Sequence, residues 1–276
     1  MFEKMFDCWK KNQNDLSTWG PTSNQSKKSK HSKTLFGFYN CRIIVLFYTM
    51  QIRRYVLLFF LASLSLWSQD TEKKILAISP FQGLKVYSNL DVELISSDVN
   101  KVIAYGDNSD FVVLSLKEGI LKIRISGGSL LTPGRTKIKL YHSRPLDQIH
   151  VYQESQLTAS LPLEQTSLSL EAKTNAVINL EIQADRLDTK ASLGGRIFLK
   201  GKVTNHEILI TSSGLCEAEE LITQQTKTKS YGGAYSYVYA NALIDAELYG
   251  GVLRVFGNPS KRITQKKLGA KILMEE

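Results

Sequence analysis

The feature that most constrains this chain is one short unit written about six times over residues 146–262, with a partial seventh behind it. The first three units read LDQIHVYQESQLTASLPLEQ, TSLSLEAKTNAVINLEIQA and DRLDTKASLGGRIFLKGKVT, and every unit is 19 or 20 residues long. Each consists of an alternating strand, a small-residue break and a second alternating strand. The breaks fall at Ser155, Asn175, Gly194-Gly195, Ser213-Gly214, Gly232-Gly233, Gly250-Gly251 and Gly269-Ala270. A fixed period in this range marks a solenoid, whose repeats bury their apolar faces only by stacking on one another. Glycine at a break lets the backbone turn with positive φ at little steric cost.

Alternation assigns the faces, because successive side chains of a strand point to opposite sides. Leu168, Leu170 and Ala172 are followed one coil later by Leu187, Thr189 and Ala191, and then by Ile208, Ile210 and Ser212, and by Ile244, Ala246 and Leu248. Past the break, Ile197 and Leu199 lead to Cys216 and Ala218, then to Ala234 and Ser236, then to Leu253 and Val255. The competing architecture is a β-sandwich of regularly spaced hairpins. The near-constant period favours the solenoid, because sandwich loops vary more in length. From Ile75 to Tyr141 the strands are less regular, with Glu118-Gly119 as a hairpin turn between Phe111–Leu116 and Ile120–Ile125. No stretch of this part shows sustained helical spacing, so the region reads as all-β. The irregular strands of 75–145 are expected to cap the N-terminal side of the regular coils of 146–276. Lys261 to Glu276 is expected to cap the other end.

Net charge is +9, yet the excess is local: residues 1–69 hold ten Lys or Arg against three acids, and the remainder holds 25 against 23. A basic stripe along the folded part, the footprint of a phosphate-backbone binder, is not expected, so nucleic acid is not a predicted partner. Met50, Arg53 and Arg54 precede a 12-residue apolar run, Tyr55 to Leu66, and the chain turns polar at Ser68-Gln69. This is the pattern of a secretory signal peptide over 50–68, and the run is short for a membrane span. Membrane contact is therefore expected only through this segment if it stays uncleaved. Residues 1–49 read as an over-extended start, with a cytoplasmic tail as the alternative. A single domain is predicted over 69–276. Of the three cysteines, Cys8 and Cys41 lie upstream, and Cys216 reads as a small core residue.

The opening of this domain resembles the head-GIN-domain family of auto-transporter adhesins. The resemblance is carried by Phe81, Gly83, Leu84, Val86, the run Leu90-Asp91-Val92-Glu93-Leu94, Val102, Ala104 and Gly119-Ile120-Leu121-Lys122-Ile123. It continues through Lys137-Ile138-Lys139-Leu140, Leu146–Val151, the repeated breaks and Gly257-Asn258-Pro259, and so covers about residues 75–273. Glu154-Ser155 and Thr174-Asn175 depart from the glycine-rich break. The resemblance implies a right-handed parallel β-helix-like solenoid exported to the cell envelope, as in family members found mainly in Bacteroidetes. It brings no catalytic residues and no cofactor.

Chemistry is sought next in the residues themselves. Glu217, Glu219 and Glu220 are the one local cluster of carboxylates in the repeats, and they read as a solvated acidic edge, with a catalytic pair or a calcium site as the sharper alternative. His142, His150 and His206 are not spaced as a metal pair. Ser212-Ser213-Gly214 sits in phase with the other breaks and reads as a corner, lacking the strand–turn–helix setting of a nucleophilic serine. One feature stands out. Tyr235, Tyr237 and Tyr239 alternate with Ser236, Val238 and Ala240, so an inward Ser236 and Val238 put three tyrosines on one outer face, with Tyr231 and Tyr249 placed to lie near. Such a strip suits stacking on sugar rings or burial against a protein. The opposite register makes the tyrosines core. The expected function is a non-catalytic binding module that presents its surface to a glycan or an envelope protein. The alternatives are a carbohydrate-active enzyme on a β-helix, marked by three or more carboxylates in one groove, and a structural or signalling envelope protein.

Overall fold

The computed structural model describes residues 73–106, 108–127 and 135–275. The leader reading of 1–68, with Cys8 and Cys41, lies outside the described residues. Among the described residues the regular structure is strand, with a 3-10 turn at Ser109–Phe111, and the chain winds into a β-solenoid of about seven turns. No helix among them is long and apolar enough to cross a membrane.

The regular coils follow from the period seen in the sequence. β1 (Lys73–Ala77), β2 (Gly83–Val86), β3 (Leu90–Ser96), β4 (Lys101–Tyr105), β5 (Val112–Lys117), β6 (Ile120–Ile125) and β7 (Thr136–His142) form the first part. β8 (Gln148–Tyr152), β9 (Gln156–Ala159), β10 (Leu163–Lys173), β11 (Val177–Ser192), β12 (Arg196–Thr211) and β13 (Leu215–Tyr231) continue it. β14 (Tyr235–Tyr239), β15 (Leu243–Tyr249), β16 (Val252–Phe256), β17 (Lys261–Lys267) and β18 (Lys271–Met274) complete it. All pairings along the stack from β8 onward are parallel. They make two ladders: β8–β10–β11–β12–β13–β15–β17 on one side, and β9–β11–β12–β13–β14–β16–β18 on the other. The long strands β11, β12 and β13 serve both, bending where two consecutive residues face outward and reset the alternation. Such corners are Asp185-Arg186, Thr204-Asn205 and Gln224-Gln225.

The other corner of each coil is tighter. It is made by two consecutive left-handed residues: Leu193-Gly194, Ser212-Ser213, Gly232-Gly233, Gly250-Gly251 and Leu268-Gly269. The two departures from the glycine pattern turn in the same way, because Gln153-Glu154 and Thr174-Asn175 hold φ between 56° and 59°. These corners are thus as sharp as the glycine ones, with the steric cost of a left-handed β-branched residue accepted at Thr174. Behind the corner, close approach demands a small residue: a Cβ on Gly195 would lie 2.2 Å from the Ala172 carbonyl oxygen.

One continuous core runs through the coils, from Leu84 and Leu94 at the N-terminal side to Leu253 and Val255. The register corrects the expected alignment by two residues in two sets, while Ile244, Ala246 and Leu248, and Leu253 and Val255, fall on the expected columns. Leu187, Thr189 and Ala191 sit over His206, Ile208 and Ile210, not over Ile208, Ile210 and Ser212. Likewise Cys216 and Ala218 meet Ser236 and Val238, not Ala234 and Ser236. A slip of two leaves every inward residue inward, so alternation alone cannot detect it. Cys216 is fully buried, as expected of a core residue, and burial pushes its thiol up to about 12.

The N-terminal end combines coils and cap. β2 and β3 pair in parallel with β8 and β9 and so form a true coil. The coil beyond them is β6–β7, which follows later in the chain. The stack then closes with antiparallel strands: β5 on β6, and β4 then β1 on β7. The irregular cap expected over 75–145 is thus confined to the antiparallel strands β1, β4 and β5, while β2, β3, β6 and β7 belong to the coils. At the other end β17 and β18 pair on one side only, and β17 is exposed along its whole length.

Candidate functional site

The three tyrosines occupy β14, and its register is fixed by burial. Ser236 and Val238 are buried, and Tyr235, Tyr237 and Tyr239 face outward, Tyr235 being 51% exposed. The alternation of a strand whose inner side chains must fit between Cys216 and Ala218 above and Leu253 and Val255 below leaves no other choice. Two buried threonines secure the end of the strand. Thr226 Oγ1 donates to the carbonyl of Tyr239 (2.8 Å), and Thr223 Oγ1 donates to the same oxygen.

Each tyrosine belongs to a rung that crosses neighbouring coils. Tyr235 lies between Leu215 and Val252, and Tyr237 lies between Glu217 and Arg254. Tyr239 lies beside Phe256. Phe198 continues the Tyr237 rung one coil further, next to Glu217. The Arg254 guanidinium sits 5.8 Å from the Tyr237 ring centroid and pairs with Glu275 at 3.6 Å. The result is an outer surface of aromatic and aliphatic side chains that also carries one cation, Arg254, and two carboxylates, Glu217 and Glu275. Tyr231 and Tyr249 lie not on this face but on the last position of β13 and β15, across the left-handed corner, where their rings stack at 5.1 Å.

The remaining sequence candidates take structural places. Glu217 and Glu219 share an outward face, as expected, with buried Ala218 between them, and Glu217 flanks Tyr237. Ser212 and Ser213 form a left-handed corner. The three histidines sit on three different strands, β7, β8 and β12. His142 Nδ1 lies 2.9 Å from the Arg144 carbonyl oxygen on β7's end. His206 is wholly inside, its Nε2 2.9 Å from Thr189 Oγ1, and burial pushes its imidazole down to about 3. His150 is on the outer surface beside Glu171 (3.6 Å), and desolvation holds it below its ordinary value even though Glu171 pulls the other way. Several coil carboxylates are paired: Glu181 with Lys200 (3.0 Å) and Glu247 with Lys229 (3.0 Å) between neighbouring coils, and Asp188 with Arg186 (3.2 Å) along β11.

Sequence reasoning missed Phe198, Phe256 and Arg254 as neighbours of the tyrosines, since they come from other coils and only the register brings them together. It also missed a second aromatic pair, Tyr87 and Tyr152, stacked at 4.8 Å. The signal available was the phase of Tyr152, which ends its strand just as Tyr231 and Tyr249 end theirs.

Residues 80–259 match the family described as "Putative auto-transporter adhesin, head GIN domain". The chain belongs to that family. Its structure is similar to that of a "putative adhesin" from Bacteroides fragilis, with a TM-score of 0.68 at 17% identity over 75% of this chain and 98% of the other. A "putative adhesin" from Parabacteroides merdae aligns with a TM-score of 0.59 at 14% identity over 76% of this chain and 98% of the other. A "putative lipid binding protein" from Parabacteroides distasonis gives 0.56 at 18% identity over 75% and 98%. At these identities the likeness concerns the fold. A comparison with curated protein sequences finds no match.

Proposed function

We propose that this protein is exported to the cell envelope and acts there as a non-catalytic adhesin-type module that holds a glycan on the β14 face. The observation that carries the reading is the row Tyr235, Tyr237 and Tyr239, presented outward on a strand whose other side is locked in the core. A sugar ring presents an apolar face that matches an aromatic side chain, while its hydroxyls find polar edges such as Glu217 and Arg254. A sheet held by parallel pairing on both sides loses little freedom on binding, which favours affinity. Membership in a family described as adhesins supports the class, and the leader pattern of 50–68 supports export.

A glycan array probed with the purified protein tests this. The parent chain is expected to select a subset of glycans. Tyr237→Ala is expected to weaken that binding about tenfold or more, the size of one lost stacking contact of about 1.4 kcal/mol, with an unchanged circular dichroism spectrum. Unchanged binding in Tyr237→Ala removes the β14 face from the function. Capture of an envelope protein that depends on Tyr237, without glycan binding, assigns the face to a protein partner instead.

A further inference from the structure

We infer that the opposite ladder carries a second binding track, shaped for an acidic polysaccharide lying along the solenoid axis. The outermost residues of that ladder run, coil by coil, Tyr87, Tyr152, Lys173, Ser192, Thr211, Tyr231, Tyr249 and Lys267. A stacked tyrosine pair therefore stands at each end, with small or basic residues between.

The two pairs are built alike. Tyr87 and Tyr152 stack at 4.8 Å and 23°, and Tyr231 and Tyr249 stack at 5.1 Å and 12°. In each, a carboxylate on the neighbouring rung fixes one hydroxyl: Tyr152 donates to Glu171 (2.7 Å), and Tyr249 donates to Glu247 (2.9 Å). In each, an ammonium group covers the far ring: Lys122 Nζ lies 4.7 Å from the Tyr87 centroid, and Lys267 Nζ lies 4.9 Å from the Tyr249 centroid. The remaining tyrosine of each pair, Tyr152 at one end and Tyr231 at the other, borders the interval of Lys173, Ser192 and Thr211.

Charge chooses the ligand class. Along the interval, Lys173 and Lys190 project without an ion pair or side-chain hydrogen bond among the described residues, and Lys85 stands beside His150. On the rung that runs Lys85, His150, Glu171, Lys190, Leu209, Lys229 and Glu247, three lysines face two carboxylates, and Glu247 is paired with Lys229. The four steps from Tyr152 to Tyr231 span about 19 Å at the spacing of neighbouring strands. That interval takes a few sugar units of an extended chain, with a ring against each bordering tyrosine and carboxylates of the units between meeting Lys173 and Lys190. Uronate polysaccharide fits this pattern of ring faces and regular negative charge.

The track shares no residue with the β14 face, so the two can fail separately. Affinity electrophoresis of the purified full chain in gels holding polygalacturonate, repeated with poly-glutamate and with single-stranded poly-dT, tests it. The expected result is retardation by polygalacturonate at physiological salt and weaker or no retardation by poly-glutamate, which has charge without rings. Tyr231→Ala, and separately Lys173→Glu/Lys190→Glu, are each expected to weaken polygalacturonate binding about tenfold or more, while Tyr237→Ala leaves it unchanged. Lys190→Gln, at an exposed position, gives the same direction of change without risk to the fold. Equal retardation by poly-glutamate, stronger retardation by poly-dT, no retardation at all, or indifference to Tyr231→Ala and Lys190→Gln overturns the inference.

Discussion

At the scale of single residues, His206 is the most consequential. It occupies an inward slot between Leu187 and Thr226, with Nε2 on Thr189 and Nδ1 without a partner among the described residues. Its folded pKa of about 3 lies below the ordinary value of 6.5. The unfolded chain therefore binds a proton as pH falls below about 6.5, and the folded chain does not until about 3. The stability this histidine supports is complete above that window and is lost through it, at about 1.4 kcal/mol per pH unit. His206→Leu is expected to flatten this slope, so that its urea midpoint at pH 4.5 exceeds that of the parent chain relative to pH 7. An identical pH slope in both contradicts the assignment. Two corner substitutions should move stability in opposite directions. Gly195→Ala drives a Cβ into the Ala172 carbonyl and is expected to cost about 1–3 kcal/mol in denaturant unfolding. Thr174→Gly relieves a left-handed threonine and is expected to gain up to about 1 kcal/mol. The sequence made the parity of every coil residue legible, but not which coil position His206 took. A shift of two residues changes no face, and the pairing that seats His206 over Leu187 runs between whole strands, β11 on β12, rather than within any local pattern.

At the scale of elements, β17 shows how an open sheet end is managed. Its inward positions, aligned under Ile244, Ala246 and Leu248, are Arg262, Thr264 and Lys266. Inward charges on a terminal strand oppose the docking of another strand or coil beneath it. Replacing Arg262 and Lys266 by leucine extends the apolar column to the edge. The double variant is expected to show a larger self-associated fraction by light scattering than the parent chain at equal concentration. An unchanged mass at all concentrations argues that the charges are not what guards this edge. This polar end was readable in the Lys-rich run after Ser260. The other end was readable only in part: the hairpin at Glu118-Gly119 was plain, since both residues adopt positive φ there, but the stacking of β2–β3 beneath a later coil was not. Contacts between strands 37 residues apart, such as Gly83 with Ile120, follow no local period.

At the scale of the whole molecule, the solenoid converts a one-dimensional repeat into two long lateral surfaces, each rung adding one outward residue at a fixed spacing. The β14 face was legible as a pattern because three tyrosines alternate within one strand. Its surroundings were not, because Phe198, Phe256 and Arg254 are close only through cross-coil register. The central claim is that recognition occurs on this lateral aromatic surface. Hydroxyl-radical footprinting read by mass spectrometry, on the protein with and without a glycan selected by the array, tests it most directly. The account predicts that the bound glycan suppresses oxidation of Tyr235, Tyr237 and Tyr239. A saturating ligand that leaves those three rings as reactive as in the free protein contradicts it.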